Sequence, residues 1–287
     1  MKKIIALDID GTLTNSKKEI TKPTLDKIME IQKKGHVVAI ASGRPLPGIR
    51  KIADELELNQ YGGYVLAFNG GRIVNYKTGE IAYQACVDNE IARKIYDYCV
   101  EKKIGMVTYK DDIVVTGTPV DDYMSLEARI NRMEIVQVED FRSFIDFPIN
   151  KCLLTAEPDV AEQVEQELVA LYGDSVTVFR SEPFFVEIMP KGVHKATSLE
   201  KLLEYLAFLK GRHDDPKSEK SQAFQEFMIL LERARKIIAA MYQEDEEENG
   251  GKKIWKPENI SASDLEKVIC SGIPINKMGN LKKMSAS

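Results

Sequence analysis

The chain has 287 residues, 44% hydrophobic and 30% charged, a balance that suits a globular protein with a sizeable core and excludes collagen-like or wholly disordered readings. That length exceeds the usual size of one domain, so two compact units are the first expectation. Forty Lys and Arg against 45 Asp and Glu give a formal net charge of -5, which offers no basic field to nucleic acid or to an anionic membrane.

The opening MKKIIALDID imitates a signal peptide for four residues, until Asp8 and Asp10 stand where its apolar stretch should continue. Export is therefore not expected, and a cytoplasmic location is. Apolar runs such as Val37 to Ala41 and Phe227 to Leu231 are too short to span a bilayer. Cys86, Cys99, Cys152 and Cys270 form no CxxC pair and no dense framework.

In chain order, Lys3 to Asp8 reads as a strand, Thr21 to Lys34 as a helix, His36 to Ala41 as a strand, Pro45 to Leu58 as a helix and Tyr64 to Phe68 as a strand. Continuous apolar strands alternating with amphipathic helices predict a doubly wound α/β core around a parallel sheet. From about Cys86 the pattern changes. A helix over Asn89 to Lys102 precedes short strands at Gly105 to Tyr109 and Ile113 to Val115, a helix near Val120 to Ile130 and a strand at Lys151 to Thr155. A helix over Val160 to Tyr172 and strands at Val176 to Phe179 and Phe184 to Ile188 complete an inserted α+β unit. The helix from Lys195 to Leu206 then returns to the first core. Residues 1–83 with 190–206 are thus expected as the core, 84–189 as a cap and 207–287 as an atypical helical and linker segment. Within that segment an amphipathic helix is expected over Ser221 to Tyr242, an acidic linker over Glu244 to Gly251 and a short helix after Ser263.

The strongest chemical signal is Asp8-Ile9-Asp10-Gly11-Thr12-Leu13-Thr14. Strand alternation would turn both carboxylates to one face, at the carboxyl edge where open α/β sheets bind ligands. Two carboxylates ~5 Å apart at an effective dielectric of ~20 repel by about 3 kcal/mol. A hard divalent cation that prefers oxygen would offset that repulsion. Gly11 lets the backbone approach a phosphate, and Thr12 can present hydroxyl and amide groups. The competing reading is an Asp-Gly turn after a buried strand.

This heptapeptide resembles the nucleophile motif of the haloacid dehalogenase superfamily. The similarity extends to Ser42-Gly43-Arg44, to the Phe68-Asn69-Gly70-Gly71 turn and to Pro190-Lys191-Gly192-Val193-His194-Lys195. With an α+β cap between the second and third motifs, the chain resembles the Cof-type subgroup with a type IIB cap, mostly Mg²⁺-dependent phosphatases of sugar phosphates and other small phosphoesters. The resemblance implies Asp8 as nucleophile, Asp10 as general acid and then base, and Mg²⁺ held by Asp8 and Asp10. It gives the phosphoryl group to Ser42 and Gly43, with Thr12 beside it, and Lys195 (Lys191 as second choice) supplies positive charge. Ser42 could instead cap a helix. Asn69 and Gly70 could touch substrate or form a plain turn. Arg180, Ser181, Glu182 and Glu187 are unranked cap candidates for substrate choice.

The family's fourth motif, a Gly-Asp followed by a second Asp whose first carboxylate completes the metal site, is absent. Asp214, Asp215 or the acidic residues 244–248 are candidate stand-ins for that third carboxylate. A phosphatase, impaired to whatever extent that loss dictates, is therefore weighed against a phosphate-binding or interaction protein without turnover, and against a phosphomutase. The expected partner is a small phosphorylated metabolite, with no nucleic acid and no membrane. His36, His194 and His213 show no metal spacing.

Overall fold

A computed structural model describes residues 3–211, which fall into two compact units, residues 3–38 with 204–211 and residues 39–203. The expected helix over 221–242, the acidic linker, Asp214, Asp215, residues 244–248, His213 and Cys270 lie outside the described residues.

The first unit holds β1 (Ile4–Asp8), α1 (Lys22–Lys33) and the opening of β2 (Val37–Ala41). The Val37 amide donates to the Lys3 carbonyl at 2.8 Å, so the start of β1 lies beside the opening of β2. Pro23 sits in the first turn of α1, where its missing N–H is no loss. The helix ends at Gly35, whose φ of 81° supplies the left-handed residue that stops a helix. His36 accepts the Lys3 amide on Nδ1 at 3.1 Å, a structural role.

In the second unit the rest of β2 leads to α2 (Leu46–Glu55), α3 (Leu58–Tyr61), β3 (Tyr64–Ala67), β4 (Arg72–Asn75) and β5 (Ile81–Gln84). β2 and β3 are parallel and almost wholly buried, as strands covered on both faces must be. β4 and β5 then pair antiparallel. This hairpin is absent from the expected strands, because its four-residue arms carry too little alternation to stand out.

The remaining elements are α4 (Asn89–Lys102), β6 (Gly105–Lys110), β7 (Ile113–Thr116), α5 (Asp122–Asn131), β8 (Glu134–Gln137) and α6 (Phe141–Phe144), followed by β9 (Cys152–Thr155), α7 (Pro158–Tyr172), β10 (Val176–Glu182), β11 (Phe185–Pro190) and α8 (Lys195–Gly211). Six of these strands form a sheet ordered β10-β11-β9-β6-β7-β8. All its pairings are antiparallel except β7 with β8. Ile95, Met106, Phe141, Leu154, Leu168 and Ile188 belong to its buried core. Burial of one sheet face against helices is the main stabilising term, at roughly 25 cal/mol per Å² of apolar surface. The fold is mixed α/β with an α+β second sheet, as expected; β8 and α6 are additions. Among the described residues no helix is long and apolar enough to cross a membrane.

Candidate active site

In the first unit β1 stops at Asp8, so Asp10 is placed by a turn and not by strand alternation. The turn is closed by main-chain bonds, Leu13 N to Asp8 O and Thr14 N to Ile9 O, both at 3.0 Å. Thr14 also donates its hydroxyl to Ile9 O at 2.9 Å. Gly11 has a φ of 78° with open space around it, which an L side chain adopts only with strain. Ile9 and Leu13 are buried, Asp8 is half-buried, and Asp10, Gly11 and Thr12 are exposed. Ile9, Leu13 and Thr14 thus anchor the turn while Asp10 and Thr12 stay open to solvent. Lys18 Nζ lies 2.7 Å from Asp10 Oδ1, an exposed ion pair.

In the second unit the ends of β2 and β3 bring Ser42, Gly43, Asn69 and Gly70 together. The Ser42 amide donates to Leu66 O at 2.9 Å and the Asn69 amide to Ser42 O at 2.8 Å. Ser42 does not cap α2: the cap position is Pro45, and the Ser42 hydroxyl accepts the Arg44 amide at 3.3 Å. Asn69 sits at φ 53°, ψ 22° inside a short 3-10 turn, a left-handed position that Asn tolerates. A Cβ on Gly70 would stand 2.1 Å from the Ser198 side chain of α8, so this turn and that helix touch. Ser198 also donates to Asn69 O at 3.4 Å. Lys195, at the exposed first position of α8, is one turn from Ser198. His194 and Thr197 satisfy each other's amides there at 3.2 and 3.3 Å, so His194 is a helix cap. Lys191 Nζ donates to the Gly173 carbonyl.

Two residues escape the sequence reading, or nearly so. Lys151 Nζ donates to Gly43 O at 3.4 Å and lies 3.3 Å from Glu187 Oε1. Asn69 Nδ2 donates to Glu187 Oε2 at 3.5 Å. The same Nζ stands 5.3 Å from the ring centre of Tyr109, within cation–π range. Tyr109 donates to Glu127 Oε1 at 2.6 Å; burial first, then the Glu127 charge, pushes its phenol well above the usual range. The signal for Lys151 was a lysine opening the apolar run Cys152-Leu153-Leu154, and for Glu187 an acid set between Val186 and Ile188. Of the other cap candidates, Arg180 donates to Glu165 at 2.8 Å, while Ser181 and Glu182 are exposed. Cys152 is no candidate nucleophile: burial pushes its thiol up to about 12. Among the described residues no group of three or more His, Cys, Asp or Glu is placed to hold a metal ion.

The family model for haloacid dehalogenase-like hydrolases matches residues 5–211. The chain belongs to that family. A Streptococcus pyogenes protein carrying the name "Putative phosphatase" is 28% identical over 214 residues, which cover 71% of this chain and 76% of that one. A haloacid dehalogenase-like hydrolase from Bacteroides thetaiotaomicron superposes with a TM-score of 0.68 at 39% identity, covering 72% of this chain and 78% of the other. The fold is shared as well with a protein described as the HAD subclass IIB sugar phosphatase BT4131, at a TM-score of 0.59 and 18% identity, over 72% of this chain and 76% of that one.

Proposed function

We propose that this hydrolase is a phosphatase that removes the phosphoryl group from a small sugar-like phosphomonoester through an aspartyl-phosphate on Asp8. The observation that carries the reading is the Asp8–Thr14 turn, in which a strand-terminal carboxylate is followed by a second, solvent-facing carboxylate on a loop fixed by main-chain bonds. The family match over residues 5–211 and the names of the relatives support it.

The donor chemistry of this turn fits a hard cation, since Asp8 and Asp10 offer only oxygen. Mg²⁺ is commonly held by one or two carboxylates, with waters and substrate phosphate completing its shell. The Asp8 carboxylate and the Asp10 main-chain carbonyl would hold it. When bound, it neutralises charge on the transferring phosphoryl group.

An Asp8 carboxylate oxygen attacks phosphorus in line as the ester P–O bond breaks, and Asp10 in its acid form gives its proton to the leaving alkoxide. Asp10, now a carboxylate, takes a proton from water. That water attacks phosphorus, inorganic phosphate departs and Asp8 is regenerated. Ser42 and the Gly43 backbone hold phosphoryl oxygens, and Lys195 supplies fixed positive charge. Thr12 lies beside the reacting group, and Asn69 and Gly70 line the substrate side. Residues 1–83 with 190–206 act as the core and 84–189 as the cap that admits the metabolite.

A second reading, a phosphate-binding protein without turnover, is favoured by Lys18 at 2.7 Å from Asp10, because the ion pair engages the carboxylate that turnover needs as proton donor. Phosphate release from p-nitrophenyl phosphate and from a hexose 6-phosphate with Mg²⁺ tests both. Turnover that Asp8→Asn reduces by at least about 10³-fold is expected. Retention of phosphate ester without release would favour the binder, and transfer to a second sugar a mutase.

A further inference from the structure

We propose that Lys151 and Glu187 are positioning residues that hold the Ser42–Gly43 and Asn69–Gly70 turns in the geometry that receives the phosphoryl group. The inference rests on the phosphatase reading above. Glu187 lies in β11 and Lys151 immediately precedes its antiparallel neighbour β9, and the register pairs Glu187 with Leu153. Lys151, two residues before Leu153, is therefore the diagonal neighbour of Glu187 on one face of the sheet.

From that face the pair reaches two turns at once. Lys151 Nζ bonds the Gly43 carbonyl at 3.4 Å and Glu187 Oε1 at 3.3 Å, and Glu187 Oε2 takes the Asn69 amide nitrogen at 3.5 Å. The two side chains are only 4% and 9% exposed. A buried ion pair is a poor stabiliser, since apolar residues of similar volume commonly do as well or better. Apolar residues, however, cannot grip a carbonyl on one turn and an amide on another. The turns are already close enough that a Cβ on Gly43 would stand 3.2 Å from Asn69 Oδ1, so a shift of either displaces the other. Misplacing reacting groups by about 1 Å costs on the order of 10²-fold in rate.

The test uses the full chain with Lys151→Met, Glu187→Gln and the double variant Lys151→Met/Glu187→Leu. Thermal midpoint, kcat and KM are measured on p-nitrophenyl phosphate, which lacks sugar hydroxyls, and on a hexose 6-phosphate. Lys151→Met should lower both midpoint and activity, because it strands a buried carboxylate. The double variant should regain the parental midpoint while kcat stays about 10²-fold down on both esters, with KM little changed. Glu187→Gln keeps the side-chain shape and should show a smaller fall in kcat with the same pattern, which decides the matter if the double variant fails to fold. Parental kcat in a stable double variant or in Glu187→Gln would overturn the proposal, leaving the pair a packing feature. A loss confined to the sugar ester and carried by KM would also overturn it, because the pair would then read the leaving group directly. No release from either ester by the parent chain would overturn the phosphatase reading and this inference with it.

Discussion

The Asp8–Thr14 turn and the cluster around Ser42, Asn69, Lys151 and Glu187 carry opposite designs. The first keeps Asp10, Gly11 and Thr12 exposed, on a loop anchored by Ile9, Leu13 and Thr14. The second buries its charges and ties each to strand ends or turns. Groups that must gain and lose protons are best left in water, where the change of charge is cheap. Groups that only orient others gain from burial, where each hydrogen bond is stronger and an unmade one is costly. Substitutions in the two regions should therefore separate activity from stability in opposite ways.

The largest effect is expected at Asp8. Asp8→Asn should remove at least about 10³-fold of turnover while leaving the thermal midpoint close to that of the parent, since the main-chain bonds that close its turn do not involve the side chain. A large drop in midpoint would break the contrast by showing that the acid is structural. Gly70→Ala probes the other region. At φ 90° its new Cβ meets Ser198 at 2.1 Å, and overpacking of this kind costs about 1–3 kcal/mol. Urea unfolding of Gly70→Ala, alone and with Ser198→Gly, should show partial recovery in the pair, with the positive-φ strain left over.

Tyr109 gives a pH signature for the buried cluster. Burial, reinforced by Glu127, raises its phenol well above the ordinary value of 10.0. The folded protein then keeps a proton that the unfolded chain releases near that pH. The stability so contributed is complete below the unfolded value and declines as pH rises above it. Tyr109→Phe should lose roughly 1–3 kcal/mol near neutrality, because Glu127 loses its donor, yet show a shallower fall in stability above pH ~10 than the parent. Parallel curves would place Tyr109 in contact with solvent. The smallest effect is expected at Lys18, whose side chain is 64% exposed against 42% for Asp10. Lys18→Met should change stability, read by urea unfolding, by less than about 1 kcal/mol.

Legibility from sequence follows a similar division. β2 and β3 were readable because each is a continuous apolar run, and α4 because Asp88 caps it while Ile91, Ile95 and Cys99 repeat at helical spacing. The β4–β5 hairpin was not, since Arg72–Asn75 and Ile81–Gln84 are short and mix polar with apolar residues. The Asp8 motif stands out in the sequence because its residues are adjacent in the chain. The Glu187 partnership could not: the acid was visible in an apolar strand, but its partner lies on a neighbouring strand, at a register fixed only by folding. Lys151 reads in sequence only as the first residue of an apolar strand, for the same reason. The order of Ser42 and Asn69 around one carbonyl likewise depends on the parallel pairing of β2 with β3.

The claim on which the rest depends is that Asp8 becomes covalently phosphorylated during turnover. Rapid acid quenching with a hexose 6-phosphate and Mg²⁺, followed by peptide mass spectrometry, measures this directly. The account predicts one hydroxylamine-labile phosphoryl group on Asp8, absent from Asp8→Asn. Steady phosphate release with Asp8 unmodified at every quench time, or with the label on another residue, would contradict it.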